Sequence, residues 1–151
     1  MAGTIKVLTI KDIVIIDHRM IHKFGGVYFE GDQNLANPGS LEHVLEEIQG
    51  SLFGYEPYPT LIEKAAALCW RIITNHVFHD GNKRTGMEAC RVFLELNGYE
   101  MKIDAEVVDV ALRIAKGAIK FADLAQWIKG RTSPIGKNPE AEANGIQTNC
   151  A

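Results

Sequence analysis

Residues 76–86 read HVFHDGNKRTG, and they lie between two stretches of helical spacing. Apolar residues recur on one helical face from Leu61 onward, and a second such pattern runs on to Phe93. The spacing breaks over residues 78–81, where a glycine ends the interruption. We therefore predict a helix, a short loop and a second helix that begins near Asn82.

The start of this second helix has the properties of an anion site. The first backbone N–H groups of a helix lack internal partners, and the helix dipole attracts negative charge to them. Gly81 lets a ligand approach the backbone closely, while Lys83 and Arg84 add positive charge that opposes the dipole. A bound polyphosphate would resolve that conflict, so Gly81, Asn82, Lys83 and Arg84 are predicted to bind phosphate.

Two further side chains of the stretch supply the rest of a transfer site. A lone carboxylate beside phosphates is a typical Mg²⁺ ligand, which makes Asp80 the predicted metal ligand. His76 follows Ile72 by four residues, and we predict it on the same inward helical face. Its imidazole can take a proton from a hydroxyl near neutral pH. This set favours phosphoryl or nucleotidyl transfer.

Each of these residues also has an ordinary structural explanation. A histidine on an apolar helix face is more often a core residue than a base. Phe78 is expected to anchor the loop in the core without a chemical role. Arg84 has the spacing to form an ion pair with Glu88 and could have no other role. The functional interpretation gains its weight from the ordered string as a whole.

The rest of the chain predicts an all-α fold of about six helices. Helix formers dominate over β-branched runs, and caps mark several helix starts, including Thr9 and Thr60 with acidic residues three positions on. An extended link is expected at 99–103. The predicted helices cover residues 9–25, 37–50, 60–76, 82–97, 104–115 and 121–129. The residues predicted to face the core from the fourth and fifth helices are Gly86, Ala89, Phe93 and Leu96, and Val107, Val108, Ala111, Leu112 and Ala115.

Composition sets the domain organisation. Residues 51–59 place glycine and two prolines between aromatic residues, which predicts a surface loop or short hairpin. Apolar residues become sparse after residue 130. We therefore predict a catalytic domain over 1–130 and a disordered tail over 131–151.

Charge and cysteine content exclude several classes of protein. The net charge is −3 and the pI is about 5.9, which argues against direct binding of nucleic acid. No apolar run approaches membrane-spanning length, so a soluble cytoplasmic protein is expected. Cys69, Cys90 and Cys150 are too few and too scattered for a disulfide framework or a zinc site. We expect two core residues and one exposed thiol in the tail.

The motif H-x-F-x-D-G-N-K-R-T over 76–85 resembles the signature of the Fic/Doc superfamily. Lys83 stands where general Fic proteins carry glycine, and Met87 stands where they carry a second arginine. Both departures resemble the Doc branch, the "death on curing" toxins. Val77 differs from many relatives, which have proline there. Weaker flanking similarity extends the resemblance over 8–129.

The resemblance implies roles for the motif residues. His76 matches the catalytic base, and Asp80 matches the Mg²⁺ ligand. Asn82, Lys83 and Arg84 match the phosphate contacts, and Lys83 and Arg84 join His76 in the catalytic set. Residues 51–58 match a flap that positions the target peptide, with strand addition as the expected mode.

The resemblance also implies a function and partners. Doc-type members act as kinases, with ATP bound so that its γ-phosphate faces the histidine, and the Doc target is a threonine of elongation factor Tu, whose modification halts translation. An antitoxin inhibits such toxins in trans, which predicts an exposed apolar groove for it. Alternatives left open are AMP transfer, as in ordinary Fic proteins, and a non-catalytic module that only binds a partner.

Overall fold

The computed structural model describes residues 4–50 and 55–136. Within these ranges the chain forms six α-helices and one small antiparallel sheet, which confirms the predicted all-α class. None of the described helices combines the length and the apolar character needed to cross a membrane. The elements are α1 (Ile10–Phe24), α2 (Pro38–Gln49), α3 (Leu61–Thr74), α4 (Asn82–Leu96), β1 (Tyr99–Met101), α5 (Ala105–Ala115), α6 (Phe121–Gly130) and β2 (Thr132–Pro134).

Side-chain caps fix where two of these helices begin. The Thr9 hydroxyl accepts a hydrogen bond from the Asp12 amide, and the Asp12 carboxylate accepts one from the Thr9 amide. Thr60 and Glu63 form the same reciprocal pair at α3. Both capping boxes satisfy amides that would otherwise lack partners, as predicted from the sequence.

The core is built around α3, which packs most extensively against α4 and also contacts α2, α5 and α6. Small residues on α3 permit this close packing, since Ala65, Ala66 and Ala67 are fully buried. Cys69 and Cys90 are buried free thiols, as expected, and burial raises the pKa of Cys90 to about 12. Cys150 lies outside the described residues.

The ordered chain continues beyond the predicted boundary at residue 130. Strand β2 pairs antiparallel with β1, with Glu100 opposite Ser133. Arg131 stabilises this two-stranded sheet through hydrogen bonds to the Lys102 carbonyl and to the Asp104 and Glu106 carboxylates. Few apolar residues are needed because the pairing uses backbone and charged groups. The predicted tail therefore starts too early, and residues 137–151 lie outside the described part.

The buried face of α5 differs from the prediction. Val108, Leu112 and Ala115 are exposed, while Val110 and Ile114 are buried in their place. The helix is apolar over more of its circumference than the core covers, so spacing alone did not select the inner residues. Its outer apolar residues are left on the surface beside α4.

The predicted inner face of α4 is confirmed except at the C-terminal end of the helix. Gly86, Ala89 and Phe93 are buried, whereas Leu96, in the last turn, is 40% exposed. Gly86 lies where α4 packs closely against α3. A Cβ atom there would be 2.8 Å from Ile73 Cγ1 and 3.1 Å from the Cys69 carbonyl oxygen.

Candidate active site

The motif loop, residues 75–81, joins the two central helices and is held by an earlier loop. Both Ala36 and Asn37 donate backbone hydrogen bonds to the Val77 carbonyl, at 2.8 and 3.0 Å. The His79 amide donates to the Asn34 carbonyl at 2.9 Å. The segment 34–37 thus lies along the motif like a short antiparallel strand and fixes its backbone.

Phe78 and Asn82 close the loop from within. Phe78 is 1% exposed, which confirms the predicted core anchor. The Asn82 side chain accepts a hydrogen bond from the Phe78 amide at 2.8 Å and donates one to the Phe78 carbonyl at 2.7 Å. Each of these two side-chain atoms thereby makes one hydrogen bond within the loop, and the main-chain N–H of Asn82 at the helix start remains available to a phosphate.

His76 does not lie on the inward face of α3, contrary to the sequence prediction. The helix ends at Thr74, and His76 takes a left-handed conformation with φ of 46°. Its side chain is exposed. The departure from the helix turns the imidazole out of the core, so the alternative of a buried core histidine is wrong as well.

The turn at His76 is a helix-ending motif in which glycine is the usual residue. The Val77 amide donates to the Ile72 carbonyl at 3.3 Å, the bond that closes such a turn. A proline at position 77 would remove that donor. Val77 therefore gives this chain an additional hydrogen bond at the end of α3.

The first turn of α4 is open to an anion. Gly81 caps the helix in a left-handed conformation with φ of 84°, and no side chain of the described residues caps this helix. Its first internal hydrogen bond runs from the Thr85 amide to the Gly81 carbonyl, at 2.9 Å. Lys83 and Arg84 are exposed at the same end. Amides and cations thus meet where the sequence predicts phosphate binding.

Arg84 does not pair with Glu88 within the described residues. Glu88 is bound by Arg91, which donates two hydrogen bonds to it at 2.9 and 2.7 Å. The Arg84 guanidinium instead lies 4.1 Å above the centre of the Phe24 ring, at the end of α1. Its charge remains unpaired by any described carboxylate.

Asp80 is half-buried and joins the motif to the loop after α1. Its Oδ2 atom accepts a hydrogen bond from the Val27 amide at 2.8 Å, and its Oδ1 atom accepts one from the Gly81 amide at 2.9 Å. A Cβ atom on Gly26 would lie 2.8 Å from Oδ2. Glycine at position 26 therefore makes room for this carboxylate.

The donor set at Asp80 fits Mg²⁺ better than a metal held by protein ligands alone. Each carboxylate oxygen has used one of its two acceptor positions, so one remains for an ion. No group of three potential metal-binding side chains occurs in the described residues. Mg²⁺ commonly takes one carboxylate and completes its shell with water and phosphate oxygens, and it would neutralise phosphate charge there.

Sequence reasoning missed three residues that hold the site: Asp17, Asn34 and Gly26. Asp17 occurs within the apolar pattern of α1, and Asn34 lies in a loop without a recognisable period. Neither residue belongs to a recognisable motif. The contacts that show their role join parts of the chain that are distant in sequence. The double glycine at 25–26 was a signal, but it indicated only a helix end.

Comparison with known proteins agrees with the fold and the motif. A family model described as "Fic/DOC family" matches residues 7–94, more than half of the 151 residues. The chain belongs to the Fic/DOC family.

Two relatives identify the Doc branch within it. "Toxin Doc" of Mycolicibacterium smegmatis (strain ATCC 700084 / mc(2)155) is 34% identical over 92 residues, which cover 61% of this chain and 71% of the relative. "Protein kinase doc" of Escherichia phage P1 is 24% identical over 119 residues, or 79% of this chain and 90% of the relative. The resemblance of the motif to Doc is thereby confirmed.

Proposed function

We propose that this protein is a Doc-type toxin kinase that transfers phosphate from ATP to a Ser or Thr hydroxyl of a protein, with elongation factor Tu as the expected target. The names of the two relatives, a Doc toxin and a protein kinase, support both parts of this proposal. Such a toxin would act in the cytoplasm, where ATP and the translation apparatus are found, and would block protein synthesis.

One structural observation carries the proposal: the uncapped start of α4 and an exposed His76 occupy the two ends of one short turn. Free amides of α4, with Lys83 and Arg84, suit the phosphates of ATP. The half-buried carboxylate of Asp80 suits its Mg²⁺. A helix start used only for structure would gain stability from a capping side chain, and none of the described side chains caps this one.

The proposed reaction needs one proton transfer and one displacement. His76 accepts the proton of the target hydroxyl, whose oxygen forms a bond to the γ-phosphorus. The bond between that phosphorus and the β–γ bridging oxygen breaks, and ADP leaves. Lys83 and Arg84 stabilise the charge on the transferring group, which is the main way that proteins accelerate this reaction.

The reaction is tested by intact-mass spectrometry of elongation factor Tu after incubation with the protein, ATP and Mg²⁺. We expect a gain equal to one phosphate. A gain equal to AMP would establish the alternative of ordinary Fic-type transfer and overturn the kinase. His76→Ala is the matched control, since removal of the base should lower the rate by a factor of about 10² or more.

Toxicity provides a test of the non-catalytic alternative. Expression of the parent protein should arrest growth, whereas His76→Ala should not. Equal arrest by both proteins would mean that toxicity comes from binding alone. Expression levels of the two proteins must be matched by immunoblot.

We further propose that an antitoxin binds the apolar groove between α4 and α5. The exposed Val108 and Leu112 form one side of this groove. Lys83 and Arg84 also line this groove, so a bound segment would cover the predicted phosphate-binding cations. The residues lining the groove are Lys83, Arg84, Met87, Val107, Val108, Ala111 and Leu112.

The groove is tested with a candidate antitoxin, taken from any small reading frame that lies beside the gene. We expect the variant with both Val108→Asp and Leu112→Asp to lose at least tenfold in affinity by titration calorimetry. Ile135→Asp, at an exposed apolar position outside the groove, is the control and should bind like the parent. Equal weakening by both variants would place the contact elsewhere.

A further inference from the structure

A buried carboxylate on α1 connects the motif to the rest of the molecule. Asp17 is 0% exposed. Its Oδ1 atom accepts a hydrogen bond from the Thr85 hydroxyl at 2.8 Å, and its Oδ2 atom accepts one from the Asn34 amide group at 2.8 Å. Burial raises the pKa of the Asp17 carboxyl, while these two hydrogen bonds lower it.

Burial of this carboxylate costs free energy that an apolar side chain with only a packing role would not cost. No salt bridge in the described residues includes Asp17. An acid buried without a cation is normally less favourable than an apolar side chain of the same volume. Departures of this kind are expected where a site requires them.

The partners of Asp17 are the groups that set the shape of the motif. Thr85 lies in the first turn of α4 and makes the first internal hydrogen bond of that helix. Asn34 also donates to the Asp80 carbonyl, at 3.3 Å, and accepts the His79 amide through its own carbonyl. A Cβ atom on Gly81 would lie 3.0 Å from Asp17 Oδ1. The carboxylate thus lies directly beneath the helix start.

We propose that Asp17 is a positioning residue of the active site: through Thr85 and Asn34 it fixes the free amides of α4 and the backbone of Asp80 in one orientation. This inference rests on the proposed phosphate-binding function of that helix start. Because Asp17 is buried, its carboxylate is not open to a substrate. It acts by removing the freedom of the turn that presents the amides, so its loss should weaken transfer more than it weakens folding.

The test compares Thr85→Val with Thr85→Ser. Valine keeps the shape of threonine but removes the hydroxyl donor to Asp17, whereas serine keeps the donor. At a temperature where circular dichroism shows both variants folded, we expect Thr85→Val to reduce kcat at least tenfold and to weaken binding of Mg²⁺–ATP. Thr85→Ser should remain within about threefold of the parent. Equal kinetics for the two variants would overturn the proposal.

Amide hydrogen exchange separates this proposal from the proposed function. Residues 77–86 should exchange faster in Thr85→Val than in Thr85→Ser without any nucleotide. If exchange changes but the parent does not bind nucleotide, the positioning contact stands and the kinase assignment fails. Unchanged exchange in this segment would refute the positioning role.

A second pair of variants covers the case in which Thr85→Val does not fold. Asp17→Asn keeps the size of the side chain, but it offers one amide oxygen in place of the two carboxylate oxygens that accept from Thr85 and Asn34. Asp109→Asn, at an exposed position on α5 outside the site, is the matched control. We expect Asp17→Asn to reduce kcat at least fivefold and Asp109→Asn to leave it unchanged. Equal kcat for the two folded variants would contradict the proposed contact.

Discussion

At the residue scale, His76 combines a predicted catalytic role with a backbone conformation that suits glycine. Its φ of 46° lies in the left-handed region, which costs a residue with a Cβ atom about 1–2 kcal/mol. The sequence predicts His76 as the catalytic base, and that role stays a prediction. It could not predict this conformation, because helical spacing continues through residue 76 and the Val77 amide decides where the helix ends.

His76→Gly should therefore stabilise the fold and abolish transfer. We expect the free energy of unfolding to rise by about 1 kcal/mol, since glycine adopts left-handed φ without strain. Urea denaturation of the parent, His76→Gly and His76→Ala measures this. Alanine retains the strain, so equal stability of the glycine and alanine variants would show that the conformation is not strained.

Gly26 provides a second prediction at this scale. In Gly26→Ala the new methyl group would meet Asp80 Oδ2 and displace the carboxylate from the Val27 amide. We expect the affinity for Mg²⁺–ATP to fall about tenfold, measured by calorimetry. Gly25→Ala is the control, since Gly25 also has a positive φ but a Cβ atom there would have nothing within 4 Å. Equal losses of affinity in the two variants would mean that backbone strain, and not the contact with Asp80, causes the loss.

At the element scale, helix starts were predictable and helix faces were less so. Thr9 and Thr60 each form a capping box with an acidic residue three positions on, so the local sequence is enough to predict where these helices begin. The inner face of α5 depends on where α4 lies, and its broad apolar surface admits more than one orientation. Val108 and Leu112 were placed in the core for that reason, although they line the groove beside the motif.

Gly86→Ala tests how closely the two central helices approach. Alanine favours a helix by about 1 kcal/mol over glycine, but here its methyl group would meet Ile73 and the Cys69 carbonyl. Overpacking of this kind costs about 1–3 kcal/mol, so we expect a net loss of stability in thermal denaturation. Gly39→Ala in α2, with nothing within 4 Å, should be neutral or stabilising. A gain in stability from alanine at both positions would refute the close approach of α3 and α4 at Gly86.

At the scale of the whole molecule, the contacts that join distant segments escaped prediction. Arg131 was assigned to a disordered tail, yet it binds Asp104 and Glu106 and lies 4.3 Å above the centre of the Trp127 ring. Asp17 was not singled out, because an isolated acid in an apolar pattern has no local signature. Both residues act across separations that a motif search does not cover.

The Arg131 contact predicts a dependence of stability on pH. The hydrogen bond from Arg131 lowers the pKa of Asp104. The stabilisation is therefore complete above the ordinary Asp pKa of about 3.9 and is lost as the pH falls through the lowered value. We expect Arg131→Met to reduce Tm by several degrees at pH 7 and by less below pH 4.

Lys102→Met is the matched control for this measurement. Lys102 is more exposed and lies 3.8 Å from the same Asp104 carboxylate, so its loss should change Tm little. If Arg131→Met produced the same decrease at every pH, lost packing on Trp127 would explain the effect and the ion pair would not.

The pairing of residues 34–37 with the motif backbone has a consequence for protein engineering. The eleven residues from 76 to 86 do not hold their own shape, since the Val77 and His79 backbone groups and the Asp80 side chain are bound by segments that precede α2. Transplanting the motif alone into a different helical hairpin would copy its amino-acid sequence without its backbone conformation. A working graft would have to carry the loop after α1 and a counterpart of Asp17 with it.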